Sequence, residues 1–153
     1  MKKLLFIPAL FCLFLLNVAS MCSNDDNNNS TQLEQLNANL RTGTWRITTF
    51  NDNGNDNVSQ FNNRVFTFNE NGTVTATLLG STLVETSTYS ITEANENNPN
   101  DDMLYLNIGF ESPSNLAILY GDWEIDSWST SEVVLYDPTG VNGGLMNLVF
   151  TKI

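Results

Sequence analysis

From residue 43 to the end of the chain, apolar and polar positions alternate with a period of two. Val74, Ala76 and Leu78 share one face of such a run while Thr73, Thr75 and Thr77 share the other. Leu104, Leu106, Ile108 and Phe110 repeat the pattern around Asn107, as Phe66 and Phe68 do around Thr67. Successive side chains of an extended strand point to opposite faces, so this is the signature of a sheet with one buried and one wetted side. Eight runs of this kind, at 44–50, 64–69, 73–79, 82–91, 103–110, 122–129, 132–136 and 145–151, are separated by clusters of Asn, Asp and Gly. Asn71-Gly72 suits a tight hairpin with positive φ, and Leu79 to Thr82 form a second compact turn. The expected fold is all-β: an eight-stranded antiparallel up-and-down β-barrel. A two-sheet β-sandwich is the alternative, which periodicity does not separate from it.

Two segments break the period. Leu33, Leu36 and Leu40 stand at i, i+3 and i+7, which predicts a short N-terminal helix over 32–40. About ten residues are too few for a helix that stands alone, so this one must dock, as a lid on the domain that follows. Residues 113–119 predict a second, shorter helical cap before Trp123.

The first 21 residues are of another kind. Met1-Lys2-Lys3 precedes an apolar run over 4–18 that is interrupted only by Pro8 and Asn17. This is a secretory signal, shorter than the ~20 apolar residues of a membrane span. Cleavage after Val18-Ala19-Ser20 would release a soluble chain, and cleavage before Cys22 would make that cysteine a lipid-modified first residue. Cys12 leaves with the signal, so Cys22 has no disulfide partner, and an exposed thiol is a liability in an oxidising compartment. Both points favour lipidation at Cys22, with 22–31 as a polar tether and 32–153 as the domain. Cys22-Ser23-Asn24-Asp25-Asp26 resembles the acidic export signal behind the lipidated cysteine of surface lipoproteins of Bacteroidota. That resemblance implies an outer-membrane lipoprotein on the cell surface, periplasm-facing or secreted forms being the alternatives.

Charge and composition narrow the function. The formal charge of −11 deepens when Lys2 and Lys3 are removed, which opposes binding to nucleic acid or to an anionic membrane surface. There is no histidine, so the commonest general base and metal ligand is missing. Glu85, Glu111, Glu124 and Asp126 lie on or beside strands, where a converging pair would suit glycoside hydrolysis, but a solvated acidic face explains them as well. Asp52 and Asp56, in Asn51-Asp52-Asn53-Gly54-Asn55-Asp56-Asn57, are weak calcium candidates; the glycine is misplaced for a calcium loop and the turn-formers suit a plain hairpin. The expectation is a protein that binds, with no catalysis, cofactor or metal.

Leu40-Arg41-Thr42-Gly43-Thr44-Trp45-Arg46-Ile47 brings Gly-x-Trp to the entry of the first strand. With the Val65–Val74 hairpin, Asp122-Trp123-Glu124-Ile125 and the closing Leu148-Val149-Phe150-Thr151-Lys152-Ile153, this is similar to the lipocalin-like domains of Bacteroidota lipoproteins, over roughly residues 33–153. Where lipocalins carry an arginine over that first tryptophan, this chain has Lys152. The resemblance implies the barrel and a small apolar ligand. A barrel of eight strands is either filled by side chains or just wide enough for one small ligand. Trp45, Phe66, Phe68, Phe110, Trp123 and Phe150 are at positions expected to point inward, and the first five, with Trp128, are the ligand-binding candidates. Trp128 is five residues from Trp123, so a regular strand would turn it to the rim or the outside, where it would meet a sugar or a partner, with Tyr120 and Tyr136 nearby. The expected function is a lipid-anchored envelope lipoprotein that binds a small apolar ligand. Its alternative is a structural or interaction module with a filled barrel, touching a glycan or an envelope protein through its outer loops.

Overall fold

The computed structural model describes residues 28–93, 103–139 and 145–153. The signal, Cys22 and the tether through residue 27 lie outside the described residues, as do most of the 93–102 loop and residues 140–144. Helix α1 (Asn28–Arg41) is followed by β1 (Trp45–Asp52), a two-residue β2 (Asn55–Asp56), β3 (Arg64–Phe68), β4 (Thr73–Leu78) and β5 (Val84–Glu93). Then come β6 (Leu104–Ile108), β7 (Gly121–Trp128), β8 (Glu132–Asp137) and β9 (Met146–Lys152). Two 3₁₀ turns, Val58–Phe61 and Ala117–Leu119, interrupt the β2–β3 and β6–β7 connections.

Each of the eight main strands pairs antiparallel with the next, and β9 returns to β1 through seven residue pairs from Trp45↔Lys152 to Asp52↔Met146. The sheet is therefore the expected closed up-and-down barrel and not the sandwich that alternation alone left open. Closure leaves no open edge among the main strands. β2 is a flap that extends the β1 hairpin and takes no part in closure. The weakest seam is β1–β3, where a single pair, Trp45↔Phe66, is in register.

Helix α1 begins at Asn28, four residues earlier than its leucine spacing predicts. Burial of Leu36 and Leu40, both 0% exposed, meets the nucleation cost, and propagation then adds a hydrogen bond for every further residue. The helix covers one end of the barrel. At that end lie the start of β1, the β3–β4 hairpin, the β7–β8 turn and the end of β9. Asn39 Nδ2 donates to the Ser129 carbonyl in the β7–β8 turn, and Arg41 Nε donates to the Tyr89 hydroxyl on β5. The opposite end is closed by the β1–β3 and β6–β7 connections, whose Phe61, Phe110, Leu116 and Leu119 are all buried.

Close approach dictates one glycine. A Cβ on Gly109 would sit 2.6 Å from Thr88 Oγ1, because the Gly109 amide donates to the Thr88 carbonyl and draws the end of β6 onto β5. Gly72, at φ +77°, makes the β3–β4 turn that its Asn-Gly pair predicts.

Candidate functional site: a barrel interior and its two ends

The inward positions meet as one core. Trp45 and Phe66 are completely buried, while Phe68, Phe110 and Trp123 are at most 2% exposed. Near the helix-covered end, the rings of Phe66 and Phe68 meet Phe150 edge-on at 5.3 and 5.6 Å, and Tyr89 meets Phe68 at 5.0 Å. Toward the other end, Phe50 packs on Phe61 at 5.1 Å and on Trp123 at 6.5 Å. Edge-to-face pairs of this kind are what ring quadrupoles prefer at a tight fit. Phe50 and Phe61 were not among the sequence candidates. The bulge in β1 explains the first: an extra residue between Ile47 and Thr49 brings Phe50 inward, three positions after Ile47.

Both buried indoles are satisfied in the same way. Trp45 Nε1 donates to the Leu40 carbonyl at 2.9 Å, and Trp123 Nε1 donates to the Leu119 carbonyl at 3.0 Å. In each case the acceptor belongs to the segment that closes that end of the barrel, so the ring fixes its own lid. Lys152 lies over Trp45 with Nζ 4.7 Å from the ring centroid. The same ammonium donates to Asn39 Oδ1 at 2.8 Å, to the Asn39 carbonyl at 3.2 Å and to Thr42 Oγ1 at 3.0 Å. An ammonium with three donors thus joins the last strand to the end of α1 while lying over the ring.

Among the described residues, the other end has one ion pair. Arg64, only 7% exposed, leads the inward row of β3, and its Nη1 lies 2.6 Å from Glu85 Oε1 on β5. The hydroxyl of Ser114, from the β6–β7 connection, donates to the second oxygen of Glu85. Burial pushes the Glu85 carboxyl up. The Ser114 and Arg64 hydrogen bonds and the Arg64 charge outweigh it and hold the group below its ordinary value. This carboxylate is thus neutralised by its neighbours, and it fastens the connection that covers the barrel. Glu85 thus faces a cation and a hydroxyl, where the sequence allows either a second carboxylate or a solvated acidic face. The inward parity of Arg64, in line with Phe66 and Phe68, was the available signal for a buried partner.

Trp128 departs from its spacing. Between Ile125 and Ser127 β7 carries one extra residue opposite β8, so Trp128 pairs with Val133, which is completely buried. The bulge resets the parity, and Trp128 returns to the inward side at the helix-covered end, partly buried against the core. With Gln32 of α1, Met103, Leu104, Ile125, Asp126 and Ser127 it borders a groove of about 480 Å³ at the rim of that end. Tyr120 and Tyr136 are at the opposite end, so the register does not join them to Trp128.

The remaining candidates have local duties. Asp52 Oδ1 accepts from Asn53 Nδ2, and Asp56 Oδ1 accepts from the Val58 amide to start the first 3₁₀ turn. Glu124 accepts from the Tyr105 hydroxyl on the outer wall. Among the described residues, no group of three His, Cys, Asp or Glu side chains is placed to hold a metal ion. No protein-family model and no curated protein matches the chain.

Proposed function

We propose that this protein is a lipid-anchored, surface-displayed lipoprotein of the lipocalin-like type whose barrel is filled by its own side chains, and that it acts as a binding module through its outer surface. One observation carries the reading. Trp45, Phe66, Phe68, Phe110 and Trp123, the rings that would line a ligand cup, are at most 2% exposed and packed beneath closed ends. A small-molecule site buries its ligand in a concavity of several hundred cubic ångströms. Among the described residues, a groove of about 380 Å³ lies along Asn107 and Asp122 on the outer wall, and one of about 480 Å³ lies at the rim between α1 and the β6–β7 pair, bordered by Gln32, Asp126 and Ser127.

Anchoring rests on the sequence at Cys22, six residues before the start of α1. A tether of that length spans at most about 20 Å, which keeps the helix-covered end near the membrane. The test is made in the protein's own cells with an alkyne-bearing fatty acid. Wild-type chain takes the label, Cys22→Ser does not, and protease added to intact cells removes the wild type. An unlabelled wild type in the soluble fraction overturns the anchor, and saturable one-to-one uptake of a fluorescent fatty acid by the folded barrel overturns the filled interior.

A further inference from the structure

One side of the barrel's outer wall is without charge. The chain has 17 acidic residues and 6 basic ones, yet every outward position of β3, β4 and β5, from Val65 to Thr92, is Thr, Ser or Val. The charged residues of those strands are Arg64 and Glu85, which pair on the inward side, and Glu93 at the last position of β5. Threonines on neighbouring strands pair well with one another, so this composition also suits a wall that only faces water. What sets one part of it apart is a groove.

Where the neutral wall ends, a groove of about 380 Å³ lies across β5, β6 and β7. The register builds it from two rows. Ser90, Asn107 and Asp122 stand side by side in the first. In the second, Thr88 and Tyr120 stand on either side of Gly109. A Cβ at Gly109 would lie 2.6 Å from Thr88 Oγ1, and the missing side chain opens the floor of the groove. Tyr120, 59% exposed, forms one wall. Asn107 Nδ2 donates to Ser90 Oγ at 3.2 Å and to Thr92 Oγ1 at 3.0 Å, which holds its amide in place. Neither the Asp122 carboxylate nor the Tyr120 hydroxyl has a hydrogen-bond or ion-pair partner among the described residues.

We infer that this groove takes a neutral glycan, with one sugar ring stacked on Tyr120 and its hydroxyls donating to Asp122. A sugar ring has the two kinds of surface this requires: C–H groups for the aromatic face, and hydroxyls around the edge for a carboxylate, an amide and other hydroxyls. Hydroxyl hydrogen bonds to a carboxylate are the strong, charge-assisted kind. The volume falls within the range of small-molecule clefts, about 300–1,000 Å³. Uronic acids and sulfated sugars would bring a second anion to Asp122, in a chain whose formal charge is already −11. A basic peptide would find a single carboxylate among hydroxyls and methyl groups. The inference deepens the binding-module reading and rests on it.

The experiment is a binding screen of the purified full chain, in detergent, against immobilised neutral glucans, mannans, galactans and xylans and against acidic polygalacturonate and heparin. Titration calorimetry with an oligosaccharide of the best-bound polymer follows. The expected result is binding to a neutral glycan and none to the acidic polymers. Tyr120→Ala and Asp122→Asn, both at exposed positions, each weaken it about tenfold, while the melting temperature stays unchanged. Tyr120→Phe keeps the stacking face and most of the affinity, and Asp126→Asn, beside the other groove, changes nothing. Binding confined to the acidic polymers, or indifferent to both Tyr120→Ala and Asp122→Asn, overturns this site and leaves the binding module standing. If no polymer binds, the wild-type chain carrying photo-leucine is irradiated in its own cells. A crosslink to another protein then overturns the glycan site alone, and no crosslink overturns the binding module with it.

Discussion

Gly43-Thr44-Trp45 and Gly121-Asp122-Trp123 are the same corner built twice, at opposite ends of one barrel. Each follows a helical segment, each glycine has positive φ (80° and 141°), and each indole donates back to a leucine carbonyl in the segment before it. The shared grammar is physical: a ring large enough to plug a barrel end carries one N–H that cannot be left unsatisfied, and the nearest acceptor is the lid itself. The difference lies in reinforcement. The first corner has a 14-residue helix and an ammonium over the ring, the second a 3-residue 3₁₀ turn held through Ser114 and the Arg64–Glu85 pair. One end is therefore built as a foundation, and the other as a surface made of loops.

The comparison breaks most sharply at the rings. Trp45→Ala and Trp123→Ala each empty a fully buried site and should each cost about 3–5 kcal/mol in denaturant unfolding. A loss below 1 kcal/mol at either would mean that this ring does not plug its end. Next in size is Arg64→Ala, which leaves the Glu85 carboxylate half-covered with only Ser114 to neutralise it. About 2 kcal/mol is expected at neutral pH, most of it recovered when Glu85→Gln is added, and a double-mutant cycle measures that coupling. Lys152→Met keeps the apolar stem over Trp45 but removes the ammonium. It should cost about 1 kcal/mol and raise hydrogen exchange at the end of α1, leaving amides near Trp123 unchanged.

The smallest expected effect is a pH dependence confined to the loop-built end. Glu85 is held below its ordinary carboxylate value in the folded protein. Its contribution is therefore complete above the unfolded value of about 4.3 and is lost as the pH falls through the folded one. Thermal melts of the wild type should drop more steeply than those of Glu85→Gln across that acidic window. Parallel curves would mean that the pair contributes nothing to closure.

Much of the barrel was legible because burial on one face forces alternation. Eight expected strands are present with ends within two residues of their predicted positions. What alternation could not reveal were its interruptions. Bulges in β1 and β7 each add one residue, and each reverses the parity of everything beyond it, so Phe50 and Trp128 face inward although regular strands would not place them so. Lys152 over Trp45 was expected only from the resemblance to lipocalins, and the pairing of the last strand with the first puts it there. The Arg64–Glu85–Ser114 cluster did not, because its members are 21 and 29 residues apart and meet only once the β6–β7 connection folds over the barrel. A polar residue at an inward position of an otherwise apolar strand was the trace it left.

Native mass spectrometry of the domain isolated from its own source, cut free of the residues that precede α1, tests the filled barrel most directly. The account expects the bare mass of the chain, the same before and after denaturation. A reproducible additional mass that departs on unfolding would contradict it, and would return the barrel interior to the role of a ligand cup.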